Sequence, residues 1–423
     1  MLGAFAAYLS AREAAARARK LWLYVLAGLS FFLAVGSKEI ALVPPILILI
    51  YELYFFQNFS FAFLRRHPLA LGLGLIFLAS TLLVYLRAEM WQNIAQGYQK
   101  YPFTMGQRLL TEPRVLLDYL GLILMPLPSR LTLEHDLALS TSLFHPWTTG
   151  PAILLWVLLL AGALRYARRR PLLSFAALWY LGNLFLESSF LPLDLMFEHR
   201  LYLPSLAVIA PLAAGMVLYL PRRRGAATAL GLTTLLLLTA TLRRNQAWQS
   251  ELDLGRDAVR KAPAQARAHN NLARAYMQAK KFDQARKEYD KTLSLNPQVP
   301  LAYHDRGLIA QEEGRQDQAI QFYQSALQVK RDHVPSLNNL GVLYAQTGRL
   351  SEAEKLFQQA LQADPADPKT HNNLGNIRLS QGRYAEALAE YEQALSLDPN
   401  FEDARRNRSL ALQRQRHSAL PPP

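Results

Sequence analysis

The chain has 423 residues, no cysteine and a formal net charge of +14 at pH 7. The lack of cysteine excludes disulfides, cysteine-ligated zinc, iron–sulfur clusters and thiol catalysis. Residues 1–245 hold 22 Lys and Arg against 11 Asp and Glu, whereas residues 246–423 hold 24 against 21. Because the positive excess lies in the more apolar half, nucleic-acid binding is nearly excluded.

The first half contains long apolar segments of about 16–21 residues. This length is close to the roughly 20 residues that a helix needs to cross about 30 Å of hydrocarbon. The sequence therefore predicts a polytopic transmembrane helical domain over residues 1–245, with about seven to eight hydrophobic helices. The uncharged segments are 21–37, 68–86, 148–164, 171–186, 201–221 and 225–242, and segment 40–56 contains only Glu52.

The distribution of basic residues predicts an orientation for this domain. Clusters of Lys and Arg occur at 12–20, 65–66, 165–170 and 222–224. The positive-inside rule places them in the cytoplasm, so the last span would run outward. The sequence thus predicts a multi-pass integral membrane protein whose second half is extracytoplasmic, in a bacterial inner membrane or in the endoplasmic reticulum lumen of a eukaryote. Segment 109–128, which holds three prolines, is expected to be re-entrant or interfacial.

The second half repeats every 34 residues. Small residues, an alanine and an aromatic residue recur in fixed columns, which is typical of tetratricopeptide repeats with two antiparallel helices per unit. The columns are Ala273, Gly307, Gly341 and Gly375; Ala285, Ala319, Ala353 and Ala387; and Tyr289, Tyr323, Phe357 and Tyr391. Four repeats are predicted, at 266–299, 300–333, 334–367 and 368–401.

The segments that flank the repeats complete an all-α organisation, in which the membrane domain is followed by an α-solenoid. Residues 246–265 are predicted to be a half-repeat connector. Residues 402–416 are charged and suit a capping helix, which a repeat array needs for its solubility. Residues 417–423 are predicted to be a disordered tail.

Three groups of polar residues in the first half are candidates for chemistry, because charged groups near a membrane are costly and often functional. They are Lys38 with Glu39, residues 134–136 (Glu-His-Asp), and residues 187–205. Each has a structural alternative: Lys38 snorkelling to headgroups, a solvated loop at 134–136, and an ion pair between Glu198 and Arg200. No metal site is predicted, since no closely spaced histidine pair occurs.

The repeats carry a second candidate surface. Polar pairs recur at the same two positions of the first helix of every repeat: Asn270 and Asn271, His304 and Asp305, Asn338 and Asn339, Asn372 and Asn373. A side-chain amide can donate to and accept from a peptide backbone. The pattern predicts a groove that holds an extended partner chain. An equally weighted alternative is that these side chains tie neighbouring repeats together.

The segments SKEIALVPPILILIYELYF (37–55) and FEHRLYLPSLAV (197–208), followed by a last span and the repeats, support a family resemblance. Over essentially its whole length the chain resembles the transmembrane-and-tetratricopeptide O-mannosyltransferases. The resemblance implies a GT-C glycosyltransferase fold. It also implies transfer of a mannose-like sugar from a polyprenyl-phosphate donor to a protein hydroxyl on the extracytoplasmic side.

The resemblance also implies roles for individual residues. Lys38 and Arg200 would bind the donor phosphate, since a leaving phosphate needs fixed positive charge. Their supporting residues would be Glu39, Glu198, His199 and Tyr202. The catalytic acidic pair of the family would lie upstream of Met1, so the chain is expected to be an N-terminally truncated, bacterial-type member with no assignable catalytic residue.

The expected partners are an acceptor protein in the repeat groove and the lipid carrier, without nucleic acid. No cofactor is assigned with certainty, and a requirement for a divalent metal stays open. The alternative function is a non-catalytic, membrane-anchored scaffold that gathers proteins through its repeats.

Overall fold

The computed structural model describes residues 2–14, 16–35, 44–60, 87–99, 101–185, 187–219 and 223–418. The regular elements in these ranges are helices, and the chain divides into two compact units, Met1–Gln246 and Ala247–Pro423. The all-α part of the predicted fold class thus agrees with the structure.

The first unit contains nine α-helices and one 3-10 helix within the described ranges. They are α1 (Leu2–Glu13), α2 (Arg17–Val35), α3 (Pro44–Phe55), α4 (Ala88–Tyr98), α5 (Met105–Leu124), α6 (Thr149–Arg165), α7 (Pro171–Phe185), the 3-10 helix Glu198–Leu201, α8 (Leu206–Tyr219) and α9 (Arg223–Gln246).

The predicted polytopic membrane domain is wrong. Among the helices that the structure describes, none is both long and apolar enough to cross a membrane. Helices α6, α7 and α8 have 17, 15 and 14 residues, respectively. At 1.5 Å per residue they extend about 21–26 Å, which is shorter than the hydrocarbon core. The predicted span 68–86 lies outside the described residues.

The longer helix α5 is interrupted by charge. Helix α5 has 20 residues but includes Arg108, Glu112, Arg114 and Asp118. It is continuous through residues 109–124, where a re-entrant or interfacial segment was expected. The predicted integral-membrane location is contradicted by the same finding, and the extracytoplasmic placement of the repeats loses its basis.

The core of the first unit lies between α5 and α7. Val115, Tyr119 and Leu122 of α5 are buried in one cluster with Trp179 and Tyr180 of α7. The polar atoms of the two aromatic residues of α7 are satisfied: Trp179 Nε1 donates to the carbonyl of Leu203 (2.7 Å), and Tyr180 Oη donates to that of Leu116 (2.5 Å). These bonds allow large amphipathic rings to be buried without loss of hydrogen bonding.

The second unit is a succession of short antiparallel helices. They are α10 (Glu251–Lys261), α11 (Ala266–Gln278), α12 (Phe282–Leu295), α13 (Pro300–Glu312), α14 (Gln316–Val329), α15 (Val334–Gln346), α16 (Leu350–Ala363), α17 (Pro368–Ser380), α18 (Tyr384–Leu397) and α19 (Glu402–Ser418). Helices α11–α18 form four repeats of two helices each. Residues 417 and 418, predicted as tail, belong to α19.

The small-residue column allows the two helices of a repeat to approach closely. A Cβ atom on Gly341 would lie 2.7 Å from a ring carbon of Phe357, and the glycines of repeats two and four face Tyr323 and Tyr391 in the same way. Each turn between the helices includes a left-handed residue. It is glycine in repeats two to four, but in repeat one it is Lys280, with φ of 55°.

Candidate functional site

The first unit holds Arg200 in internal contacts. Its Nε atom lies 3.2 Å from Glu187 Oε2, and its Nη1 atom donates to the carbonyl of Asp194 at 2.9 Å. The guanidinium also lies over the ring of Phe197, and only 5% of the side chain is exposed. The charge of Arg200 is therefore paired within the unit, as in the structural alternative, although its partner is Glu187 and not Glu198.

A second buried arginine, Arg108, was not among the predicted site residues. It is fully buried and donates to the backbone carbonyls of Glu187, Ser189 and Leu193. Its Nη2 atom also lies 2.7 Å from Glu112 Oε1. Arg108 therefore fixes residues 187–193 against α5. The sequence signal was an Arg and a Glu four residues apart in an apolar segment, which places both on one helix face.

Glu112 is a titratable group that this environment alters strongly. Burial raises its pKa to about 7, although the nearby Arg108 acts in the opposite direction. Both of its carboxylate oxygens are buried without a well-formed hydrogen bond. The ionised form is disfavoured because a buried charge loses its hydration.

The remaining predicted residues of the first unit are not gathered into one site. Glu198 accepts a hydrogen bond from the backbone N–H of Thr132 and lies 3.6 Å from Nε2 of His135, so two of the predicted groups do meet. Tyr202 is 82% exposed. His199 belongs to the 3-10 helix, and Lys38 and Glu39 lie outside the described residues.

In the second unit, the first column of polar residues connects repeats two, three and four to the helices that follow each of them. Asn338 Nδ2 donates to Thr370 Oγ1 (2.7 Å) and to Asp367 Oδ2 (3.0 Å). Asn372 Oδ1 accepts from Asn407 Nδ2 at 2.9 Å. These contacts support the structural alternative for this column.

His304 is in the same column and shows the same behaviour. Its Nδ1 atom lies 3.2 Å from Ser336 Oγ in repeat three. Burial, with a smaller effect from His333, lowers the pKa of His304 to about 4. The ring is therefore neutral at physiological pH and takes part in packing between repeats two and three.

Asn270 is the exception in the first column. The residue 32 positions later is Thr370 for Asn338 and Ser336 for His304, but for Asn270 it is Ala302. Ala302 has no polar side-chain atom, and Asn270 Oδ1 is buried without a hydrogen-bond partner. Asn270 thus does not make the hydrogen bond that this column makes at the later junctions.

The second column differs from the first. Asn271 and Asn373 make no side-chain hydrogen bond to any residue that the structure describes, and both are partly exposed. Asn339 has one long contact, from its Nδ2 to Tyr323 Oη at 3.5 Å. Asp305 is buried and accepts from Tyr289 Oη at 2.8 Å. Three of the four repeats therefore present an amide that is little used by the fold.

These amides lie at the centre of a solvent-accessible stripe on each first helix. Residues at i, i+4 and i+7 of a helix share a face. We call the four stripes together the inner-helix surface, and all of its residues except Asp305 are exposed or half-buried. Its members are Arg267, Asn271 and Arg274; Leu301, Asp305 and Leu308; Pro335, Asn339 and Val342; Lys369, Asn373 and Asn376.

Comparison with protein families identifies the second unit. Family models described as tetratricopeptide repeat match residues 264–332, 298–366 and 356–389, and one described as TPR repeat matches 375–415. Residues 264–415 are thus tetratricopeptide repeats, which confirms the prediction from the 34-residue period. No curated protein matches the chain.

Solved structures that are similar to this chain include several repeat proteins. TTC0263, a thermophilic TPR protein of Thermus thermophilus, is 25% identical over 42% of this chain and 95% of its own, with a TM-score of 0.33. YrrB, described as a TPR protein with an unusual peptide-binding site, is 18% identical over 41% and 87%, with a TM-score of 0.33. The first TPR of Spaghetti (RPAP3), bound to an HSP90 peptide, is 22% identical over 27% and 92%, with a TM-score of 0.27.

Proposed function

We propose that the protein is an interaction scaffold that binds an extended segment of a partner protein along the inner-helix surface. The observation that carries this proposal is the set of amides at Asn271, Asn339 and Asn373, which recur in one register and are little used by the fold. An amide that is not committed inside the fold can pair with the N–H and C=O groups of a bound backbone.

The spacing of the surface supports an extended ligand. Packed helices are about 8–10 Å apart, and three residues of an extended chain cover about 10 Å. One repeat therefore corresponds to about three residues of the partner, and four repeats to about twelve. Recognition of the backbone alone would allow peptides of many sequences to bind. The side chains around the amides would therefore determine which partner sequences bind best.

The proposal is tested with the full chain and with random 12-residue peptides displayed on phage. Peptides selected by the wild type are synthesised with a fluorescent label and measured by fluorescence anisotropy. The triple variant Asn271→Ala, Asn339→Ala, Asn373→Ala is expected to bind them at least about tenfold more weakly, because each lost hydrogen bond is worth about 0.5–1.5 kcal/mol.

The matched control is Asn270→Ala, which removes an amide of the same helix whose oxygen is buried and which is not part of the inner-helix surface. Its affinity should stay within about twofold of the wild type, since 1.4 kcal/mol corresponds to a tenfold change. Equal binding by the triple variant and the wild type would refute the proposed role of the amides.

Sugar transfer, implied by the resemblance to O-mannosyltransferases, is not part of this proposal. Arg200, which the resemblance assigns to the donor phosphate, uses its donors on Glu187 and on the carbonyl of Asp194. The integral-membrane placement that a lipid-linked donor requires is contradicted for the described ranges. The transferase activity and the lipid carrier therefore stay predictions from the sequence.

A further inference from the structure

We infer that the first unit carries a separate binding site, a groove beside α4 that takes a proline-rich segment of a partner protein in the polyproline II conformation. This inference does not depend on the proposed function, because it concerns the other unit of the chain and another class of ligand. It follows from the aromatic lining of the groove, the spacing of its walls and the polarity of its side chains.

The groove is lined by α4, by the first residues of α5 and by described residues between the two helices. Its volume is about 670 Å³, which is within the range of pockets that bind ligands in proteins. Most of its lining is apolar and rich in rings. The residues that form the apolar part are Trp91, Tyr98, Tyr101, Pro102, Phe103 and Met105.

The rings of the groove are held in place by one another. Phe103 is only 8% exposed, and the ring of Tyr101 stacks on it with the centroids 5.1 Å apart. The ring of Tyr98 meets Phe103 edge-on at 6.3 Å, and its Oη donates to the carbonyl of Phe190 at 2.8 Å. Trp91 packs against the ring of Phe190 at 5.3 Å and is still 45% exposed. The apolar surface is therefore arranged before a ligand binds, which lowers the entropic cost of binding.

The spacing of the two aromatic walls on α4 selects a polyproline II ligand. Trp91 and Tyr98 are seven residues apart, so they share one face of the helix and lie about 10 Å apart along its axis. A polyproline II chain has three residues per turn and rises about 3.1 Å per residue, so its residues i and i+3 share a face and lie about 9 Å apart. A segment of the type Pro-x-x-Pro therefore presents one proline ring to Trp91 and the other to Tyr98.

The polar groups of the groove suit a ligand that supplies hydrogen-bond acceptors. None of the described residues that line it is charged, which disfavours a phosphate or carboxylate ligand. Gln107 Oε1 accepts from the backbone N–H of Thr104 at 2.9 Å, so the Nε2 group of Gln107 remains as a donor. Gln99 adds an exposed side-chain amide. A proline-rich segment has carbonyl groups without internal hydrogen bonds and few N–H groups, and aromatic grooves are known to recognise such segments.

The inference is tested on the full chain with a phage library of 12-residue peptides that share a fixed Pro-x-x-Pro. Selected peptides are synthesised with a fluorescent label and titrated by fluorescence anisotropy. Each is compared with a version in which the second proline is moved by one residue, to give Pro-x-x-x-Pro. The original spacing should bind at least about tenfold more tightly, because the moved proline points about 120° away from the groove.

Two variants with matched controls locate the site. Trp91→Ala removes one wall and should weaken binding at least about tenfold, since tryptophan contacts often dominate an interface. Trp147→Ala removes a tryptophan that is 75% exposed and not part of the lining, and it should bind as the wild type does. Ala95→Arg places a long side chain into the groove from an exposed position of α4 and should abolish binding. Gln96→Arg adds the same charge at the next exposed residue, outside the lining, and should leave the affinity unchanged.

The two arginine variants also keep the test independent of folding. Arginine is a good helix former, so both should retain the circular dichroism spectrum and melting temperature of the wild type. Peptide binding that persists in folded Ala95→Arg would overturn the inference, as would equal affinity for the two proline spacings or failure to select any Pro-x-x-Pro peptide.

Two further measurements separate this site from its alternatives. Neutral oligosaccharides also stack on aromatic rings, so maltohexaose is titrated as a competitor. It should not displace the peptide, and displacement would assign the groove to a sugar and contradict the inference. The triple variant Asn271→Ala, Asn339→Ala, Asn373→Ala should bind the proline-rich peptides like the wild type. A loss in this variant would place them on the inner-helix surface and not in the groove.

Discussion

The unsatisfied Asn270 gives a quantitative prediction about the junction between repeats one and two. Replacement of Ala302 by Ser should stabilise this junction, since the new hydroxyl could donate to Asn270 Oδ1 as Thr370 Oγ1 donates to Asn338 Oδ1 at 2.9 Å. The site tolerates a hydroxyl, because Ser336 and Thr370 occupy the same register and are both fully buried.

The expected gain is about 1 kcal/mol. A net hydrogen bond contributes about 0.5–1.5 kcal/mol, and a buried acceptor without a partner costs about 1–3 kcal/mol. Part of this is offset by burial of the new hydroxyl. The opposite change, Asn338→Ala, removes the bonds to Thr370 and Asp367 and should cost about 1–2 kcal/mol at the third junction.

Hydrogen exchange by mass spectrometry on the full chain measures this effect locally, because repeat arrays are stabilised by nearest-neighbour interfaces. Amides of α11 and α13 should exchange about fivefold more slowly in Ala302→Ser, since 1.4 kcal/mol corresponds to a factor of ten. A double-mutant cycle isolates the bond: in the Asn270→Ala background the same serine should give no gain. An equal gain in both backgrounds, or a loss in the wild type, would refute the reasoning.

Three further predictions concern packing, backbone and protonation. Gly341→Ala should destabilise its repeat by about 1–3 kcal/mol in urea denaturation, since the new Cβ would lie 2.7 Å from the ring of Phe357. Adding Phe357→Leu should recover part of this loss. An unchanged stability of Gly341→Ala would contradict the close contact between the two helices. Lys280→Gly should raise the free energy of unfolding by up to about 1 kcal/mol, measured by thermal denaturation, because the backbone of Lys280 is in the left-handed region. Lys280→Ala should give no such gain. The pKa of Glu112 is raised from 4.5 to about 7 in the folded state. The protonated carboxyl therefore contributes to the free energy of unfolding fully below pH 4.5, and this contribution is lost as the pH rises through 7. Between pH 4.5 and 7 the free energy of unfolding of the wild type should fall by roughly 2–4 kcal/mol relative to that of Glu112→Gln. Parallel curves of unfolding free energy against pH for the two proteins would contradict this prediction.

The repeat array could be predicted from sequence because its packing is local and periodic. Gly341 and Phe357 are 16 residues apart, and the equivalent pairs of repeats two and four meet in the same way. The recurring residue columns are therefore sufficient to predict the packing of the two helices in each repeat. The roles of the asparagines could not be separated in the same way. They depend on the residue 32 positions later, which is Thr370 for Asn338 and Ala302 for Asn270.

The membrane prediction failed because an apolar run does not specify where a helix begins and ends. Segment 201–221 contains Pro204, and the helix α8 starts only at Leu206 and ends at Tyr219. Segment 171–186 forms a 15-residue helix that begins at Pro171. The carbonyl partners of Arg108 could not be foreseen either, because they lie about 80 residues later in an irregular segment.

The central claim is that the amides of the inner-helix surface hold the backbone of a partner segment. The most direct measurement is the affinity of a selected peptide for the full chain before and after N-methylation of its backbone, residue by residue. Loss of affinity by about tenfold at positions spaced by about three residues, absent in the Asn271, Asn339 and Asn373 triple variant, is the predicted result. Affinity that is insensitive to N-methylation at every position would contradict the account.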